Sequence, residues 1–237
     1  MQSYTRHQLK EDKFAKGTQE AVHWATEHRR LLIGSISVLV VAAILITGFL
    51  AWNSHKTEQA NIALSKALQT FSTPLRPPGT PPDPSIKTFS SIAERGKQAE
   101  TELQAVADQF PHTKPGKMAG YLAGTAAIQA GDNAPAERLL KSAADDGDKN
   151  IASLGKLALA NFYRTGNRSI DAAKLYKELI DNPTDMVSKG QAQLELAQLY
   201  ESTDPKEAAN IYQQIQKDDP KSAAARIAAN KLAAAAK

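Results

Sequence analysis

The chain has 237 residues, and its 29 Lys and Arg against 25 Asp and Glu leave a net charge of +4, too small and too dispersed for a nucleic-acid partner. It contains no cysteine, which excludes disulfides, thiolate metal sites, iron–sulfur clusters and thiol catalysis. Aromatic residues make up only 6% of the chain while alanine is abundant, so the composition predicts an all-α fold.

Residues 1–30 mix charges of both signs, with six Lys or Arg and four Asp or Glu. A few apolar residues, such as Leu9 and Trp24, would allow a short amphipathic helix. We interpret the segment as a cytoplasmic tail whose basic residues set the orientation of the chain and contact anionic lipid.

Residues 31–52 form an uncharged stretch, LLIGSISVLVVAAILITGFLAW. As a helix it would be about 33 Å long, enough to cross a hydrocarbon core of about 30 Å. One alternative is a buried core helix, which rarely runs so far without a polar face. The other is a cleaved signal peptide, whose apolar region is shorter. The stretch therefore predicts a single transmembrane helix in contact with membrane lipid.

The charges on either side of this stretch predict its orientation. Four Lys or Arg lie within the 20 residues before it, among them Arg29 and Arg30, whereas residues 53–72 carry two. Of the two segments next to a transmembrane helix, the one richer in Lys and Arg usually stays in the cytoplasm. We therefore expect a cytoplasmic N-terminus and an extracytoplasmic remainder.

Residues 53–72 are rich in helix formers and predict a membrane-proximal helix that continues the span. Six of the next twelve residues, Thr73 to Pro84, are proline. Because proline fixes φ and lacks an amide hydrogen, residues 73–87 predict an extended linker. Residues 74–77, Pro-Leu-Arg-Pro, have the outline of a proline-rich recognition motif, but a stiff spacer is the simpler interpretation.

From residue 88 the sequence repeats a frame of two short helices. Each unit carries an alanine early in its second helix, at intervals of 37, 36 and 36 residues: Ala99, Ala136, Ala172 and Ala208. The first helices of the later units share a small residue that would allow a close helix crossing: Gly124, Ala160 and Ala197. Such a period predicts a solenoid of stacked helical hairpins over residues 88–220, because one hairpin cannot bury its own apolar face. A plain helical bundle with accidental spacing is the alternative.

This frame resembles the tetratricopeptide repeat, whose pattern of small, aromatic and alanine positions it follows. The resemblance implies a scaffold that binds proteins. Residues 221–237 are alanine-rich with exposed Lys and Arg, and they predict the helix that caps the last repeat.

The layout as a whole resembles the ancillary Sec translocon subunits of bacteria. The resemblance is carried by a short tail, a span ending in Ala51-Trp52-Asn53-Ser54-His55, an alanine-rich helix and degenerate repeats. It implies an inner-membrane anchor, periplasmic repeats, and protein partners among translocon subunits, chaperones or exported clients.

No catalytic or metal-binding pattern occurs in the sequence. The five histidines are scattered, and there is no HExxH motif, phosphate-binding glycine loop or nucleophile elbow. The acidic turn at 145–148 lacks the ligand spacing of a calcium loop. We expect neither enzyme activity nor a cofactor.

The candidate binding surface is the face of the first helices that the hairpins leave free. First helices line the concave side of such solenoids, and three residues in each later unit are predicted to lie there: Tyr121, Thr125, Ile128, Leu157, Asn161, Arg164, Leu194, Gln198 and Glu201. An apolar stripe bordered by amides suits an extended or partly unfolded chain. Alternatively, Leu157 and Leu194 belong to the core and the C-terminal helix fills the groove.

Two functions follow from this organisation. The first is a membrane-anchored interaction scaffold on the extracytoplasmic side that assists translocon-linked export, folding or envelope assembly. The second is a structural or assembly factor that binds through its span and tail, with the repeats as a spacer or an oligomerisation surface.

Overall fold

A computed structural model describes residues 23–81, 83 and 85–235, and the predicted amphipathic helix of the tail falls largely outside them. The chain divides into two units, Met1–His55 and Lys56–Lys237. All the regular elements of the described residues are helices, which confirms the all-α prediction. They are α1 Arg29–Ser72, α2 Ile92–Gln109, α3 Lys114–Ala130, α4 Asn133–Ala144, α5 Lys149–Thr165, α6 Ser169–Asp181, α7 Lys189–Tyr200, α8 Pro205–Asp218 and α9 Ala223–Ala235.

Short polar side chains mark where the helices begin. Five N-cap residues accept a hydrogen bond from a backbone amide of the first turn, which satisfies a donor that has no partner within the helix: Ser91, Thr113, Asp148, Ser188 and Asp204. Gly131 follows α3 in a left-handed conformation with φ of 80°, which a residue without Cβ adopts at little cost. The residues between the helices therefore determine where each helix begins or ends.

In the first unit, the described structure includes residues 29–55 of α1. This part of the helix is long and apolar enough to span a membrane, and its most apolar window is not buried by the rest of the protein. Leu39 is 68% exposed and Phe49 is 62% exposed. A core helix of a soluble protein would bury such side chains.

The second unit is a stack of helical hairpins. Each helix from α2 to α9 packs against the next helix in the chain, and α3 also contacts α5 while α7 contacts α9. Contact between the first helices of successive hairpins is the arrangement of a solenoid. The predicted tetratricopeptide-like stack is therefore confirmed.

The small residues of the repeat frame lie at the helix crossings. The four repeating alanines are at most 3% exposed, and Ala160 and Ala197 are fully buried. A Cβ at Gly124 would lie 2.8 Å from Cδ2 of Leu140 on the partner helix. These positions face the partner helices as the spacing predicts.

The second half of α1 supplies the first helix of the first hairpin. Ala60 and Ala67 are buried in the same cluster as Ala99 and Leu103 of α2. The Thr70 hydroxyl also donates to Glu102 of α2 at 2.5 Å. The packing thus adds residues 56–72 to the repeats, which the sequence analysis began at residue 88.

The described residues of the proline-rich segment form a surface loop between the two helices of this first hairpin. Its base is closed by a bridge between Leu75 and Phe89, in which the amide of Arg76 donates to the Phe89 carbonyl at 2.8 Å. At its tip, Gly79 has φ of 79° and follows proline, as a type II turn requires. Its described residues are not helical, and proline disfavours helix because it fixes φ and has no amide hydrogen.

At the other end of the stack, α9 packs against α8 and α7. Ala225 and Ala228 of α9 are buried in one cluster with Tyr212 and Ile215 of α8. Helix α9 therefore covers the last hairpin, which is the position predicted for a capping helix.

Candidate protein-binding surface

The nine predicted binding residues, here called the groove residues, lie on α3, α5 and α7 or directly after α7. Ile128 and Glu201 are exposed and the other seven are half-buried, so each retains accessible surface. Helix α3 contacts α5, which brings the groove residues of these two helices close to each other. An ion pair between α5 and α7 links them to the groove residues of α7.

Three of the four apolar groove residues contribute to both core and surface. Tyr121 and Leu157 pack against a buried cluster that includes Leu159, and Leu194 packs against the cluster around Ala197. Burial raises the pKa of Tyr121. Ile128, by contrast, is 40% exposed. Leu157 and Leu194 therefore combine the core role and the surface role that the sequence left as alternatives.

Asn161 is held by a tyrosine from the second helix of its own hairpin. The buried Tyr176 donates its hydroxyl hydrogen to Asn161 Oδ1 at 2.7 Å, and Arg164 Nη2 donates to the same oxygen at 3.3 Å. Burial raises the pKa of Tyr176. The Asn161 side-chain oxygen is thus committed to the fold, whereas Nδ2 has no hydrogen bond within the described structure.

Arg164 reaches across to the next hairpin. Its Nη2 lies 3.7 Å from Oε2 of Glu195 on α7, longer than a hydrogen bond. Arg164 Nε and Glu195 Oε2 are buried without hydrogen-bond partners. Glu195 was missed by the sequence analysis, although it directly follows Leu194, because no local pattern pairs it with a residue of the preceding unit.

Glu201 closes the far end of the groove. It accepts hydrogen bonds from the Tyr212 hydroxyl at 2.8 Å and forms an ion pair with Lys231 of α9 at 3.0 Å. Burial acts to raise the pKa of Glu201, but Tyr212 and Lys231 outweigh it and hold the pKa below its usual value. The C-terminal helix therefore contacts the groove at this end through Lys231.

The remaining polar groove residues differ in what they offer a ligand. Thr125 donates its hydroxyl hydrogen to the Leu122 carbonyl of its own helix at 2.8 Å. Gln198 is half-buried, and its amide makes no hydrogen bond within the described residues. Gln198 and the Asn161 Nδ2 group are thus the amides available to a partner.

A second concavity lies between α2 and α4, with α3 as its floor. It has a volume of about 260 Å³ and is bordered by Gly120, Tyr121 and Arg138. Lys117 and Asp146 form an ion pair at 2.6 Å at its edge. Across the described residues, no three His, Asp or Glu side chains are grouped so as to hold a metal ion.

Comparison with known families agrees with this architecture. Residues 23–174, more than half of the chain, match the family model described as a tetratricopeptide repeat-like domain, and residues 191–222 match a tetratricopeptide repeat. Neither description names a translocon or a membrane. No curated protein and no solved structure matches the chain. The chain belongs to the tetratricopeptide repeat-like domain family.

Proposed function

We propose that this protein is a membrane-anchored scaffold whose concave surface binds a protein partner. The observation that supports the proposal is that Tyr121, Leu157 and Leu194, on the first helices of three successive hairpins, are half-buried, and that Asn161 Nδ2 and Gln198 have no internal hydrogen-bond partner. Apolar side chains with adjacent hydrogen-bonding groups are suited to polypeptide binding.

The proposal extends to where the scaffold acts. The exposed apolar part of α1 and the basic residues before it support an anchor in the bacterial inner membrane with the repeats in the periplasm. The family match begins at residue 23 and so includes this apolar segment. In this position the repeats would assist translocon-linked export, folding or envelope assembly, with translocon subunits, chaperones or exported clients as partners.

The first test concerns orientation. In spheroplasts, added protease should degrade the repeats and spare the N-terminal tail. Replacing Arg29 and Arg30 with Glu should give a mixed population in which part of the repeats is protected, because these residues lie closest to the apolar stretch. Protection of the repeats in the unaltered protein would reverse the proposed topology.

The second test concerns the groove. Gln198→Ala together with Ile128→Ser should leave the melting temperature unchanged within about 2 °C, because Ile128 is exposed and the half-buried Gln198 has no internal hydrogen-bond partner. Cross-linking to partners in native membranes should fall several-fold. Asn161→Ala is unsuitable, since it would leave the Tyr176 hydroxyl without its acceptor.

The matched control is Gln213→Ala, which removes an exposed glutamine from α8, outside the groove. Cross-linking should be unaffected in this variant. Full cross-linking in the folded Gln198/Ile128 double variant would move binding to the span or the tail and favour the repeats as a spacer or an oligomerisation surface.

A further inference from the structure

We propose that the proline-rich loop, residues 73–91, is a second binding surface that docks in an aromatic-lined groove with acidic borders on another protein. The loop joins α1 to α2, and none of the groove residues belongs to it. The proposal therefore goes beyond the proposed function and does not depend on it.

The length of the loop is the first argument. It takes 19 residues to connect the end of α1 at Ser72 with the start of α2 at Ile92. The later hairpins connect their helices through residues 131–132, 166–168 and 201–204, which are two, three and four residues. The first hairpin thus has far more residues than its closure requires. Loops of this length inside a compact unit are commonly functional.

The ordered base of the loop is the second argument. The Arg76 amide donates to the Phe89 carbonyl at 2.8 Å, and the Phe89 amide donates to the Pro74 carbonyl at 3.3 Å. From α2, Arg95 Nη1 donates to the Thr73 carbonyl at 3.2 Å. The Phe89 side chain is buried, which anchors the base in the fold. A segment that is already ordered loses less conformational entropy when it binds.

The backbone of residues 74–78 is the third argument. Three of these five residues are proline, whose ring fixes φ near the polyproline II value, and a residue that precedes proline is driven to the same extended region. Pro77 and Pro78 are exposed. The carbonyls of Leu75 and Arg76 accept no hydrogen bond within the described structure. Aromatic-lined grooves recognise extended, proline-rich backbone of this kind.

The charge of the loop indicates what borders that groove. Arg76 and Lys87 form no ion pair with any described residue. Asp83 is the only acid of the loop, and its carboxylate accepts from the amide of Ser85 at 2.8 Å and from its hydroxyl at 2.6 Å. Two cations therefore remain for carboxylates of a partner. An anionic membrane would attract the same cations, but it would give the exposed prolines and the free carbonyls no role.

The test places the photoreactive residue p-benzoylphenylalanine at the exposed Thr80 of the full chain, in permeabilised cells. Irradiation should cross-link the loop to one protein, and mass spectrometry should locate the adduct among aromatic and acidic residues of that protein. An excess of a capped peptide of residues 73–85 should lower the yield at least about fivefold. The same peptide with alanine in place of every proline should not. The photoreactive residue at Ile170 of α6, which is 88% exposed, measures the background.

Variants of the loop test the role of proline. Pro77→Ala together with Pro78→Ala should lower the yield of the adduct several-fold. Both prolines are exposed, so the melting temperature should fall by no more than about 3 °C. The matched control is Pro220→Ala, which replaces an exposed proline between α8 and α9 and should leave the yield unchanged. An undiminished adduct in the folded double-proline variant would overturn the proposal.

The identity of the adduct distinguishes the other occupants. Adducts with lipid alone would assign the loop to the membrane surface, and adducts with a second copy of this chain would assign it to self-association. Either result would overturn the proposal, as would an adduct that the peptide does not displace. The loop adduct should form at full yield in the Gln198/Ile128 double variant, which separates this surface from the groove. Its loss in that variant would mean that the loop is not an independent binding surface.

Discussion

Replacing Gly155 with alanine is expected to destabilise the solenoid by about 1–3 kcal/mol. A Cβ at Gly155 would lie 2.4 Å from the backbone nitrogen of Ala144 and 2.5 Å from the carbonyl carbon of Ala143. Backbone atoms in a helix cannot rotate away as a flexible side chain can, so α4 and α5 would have to separate. Thermal unfolding followed by circular dichroism should show a loss of several degrees.

Gly120→Ala is the matched control, because Gly120 also lies inside a helix of the solenoid. A Cβ there meets only Cβ of Ala107, at an ordinary 3.7 Å. Alanine favours helix over glycine by about 0.5–1 kcal/mol. We therefore expect an unchanged or slightly higher melting temperature. A similar loss in both variants would show that the close approach of α4 and α5 does not determine stability.

The later hairpins could be predicted from sequence because their signal is local and periodic. A small residue at Ala160 and an alanine at Ala172 lie twelve positions apart, and a similar pair recurs twelve positions apart in the preceding unit and eleven apart in the following one. The first hairpin could not be predicted in this way. Ala60 contacts the cluster around Ala99, but a proline-rich loop separates the two in sequence. The length of this loop interrupts the spacing by which the later repeats are recognised.

Which groove residues are available to a ligand could not be predicted from the sequence either. Helical spacing predicts which residues of the first helices share a face, but not what reaches them from other elements. Tyr176 and Tyr212 extend from second helices to bind Asn161 and Glu201. Lys231 of the capping helix α9 forms an ion pair with Glu201. These partners decide which groove residues are available, and they follow from tertiary packing.

Glu137 connects two consecutive hairpins. Its Oε1 accepts hydrogen bonds from Lys141 at 2.8 Å, from Arg168 at 2.9 Å and from the Tyr163 hydroxyl at 3.0 Å. The Arg168 guanidinium also lies 3.9 Å from the centre of the Tyr163 ring, close enough for a cation–π interaction. Lys141 and Arg168 lower the pKa of Glu137 from 4.5 to about 2.

Replacing Glu137 with Gln should therefore cost stability in a pH-dependent way. A carboxyl whose pKa is lowered by folding stabilises the native state above its unfolded pKa of about 4.5 and loses that contribution as the pH falls towards 2. Lys141 and Arg168 are 54% and 43% exposed, so solvent screening limits the effect to about 1–2 kcal/mol at pH 7.

Urea unfolding of the unaltered protein and of Glu137→Gln, at pH 7, 5 and 3, measures this contribution. The two proteins should differ most at pH 7 and little less at pH 5, and the difference should shrink at pH 3, because the carboxyl of the unfolded chain is protonated there while the native carboxylate is still largely ionised. Asp185→Asn removes an exposed carboxylate for which the described structure shows no ion pair, so it should change stability little. A Glu137→Gln difference that stays constant from pH 7 to pH 3 would mean that the carboxylate charge does not hold these two hairpins together.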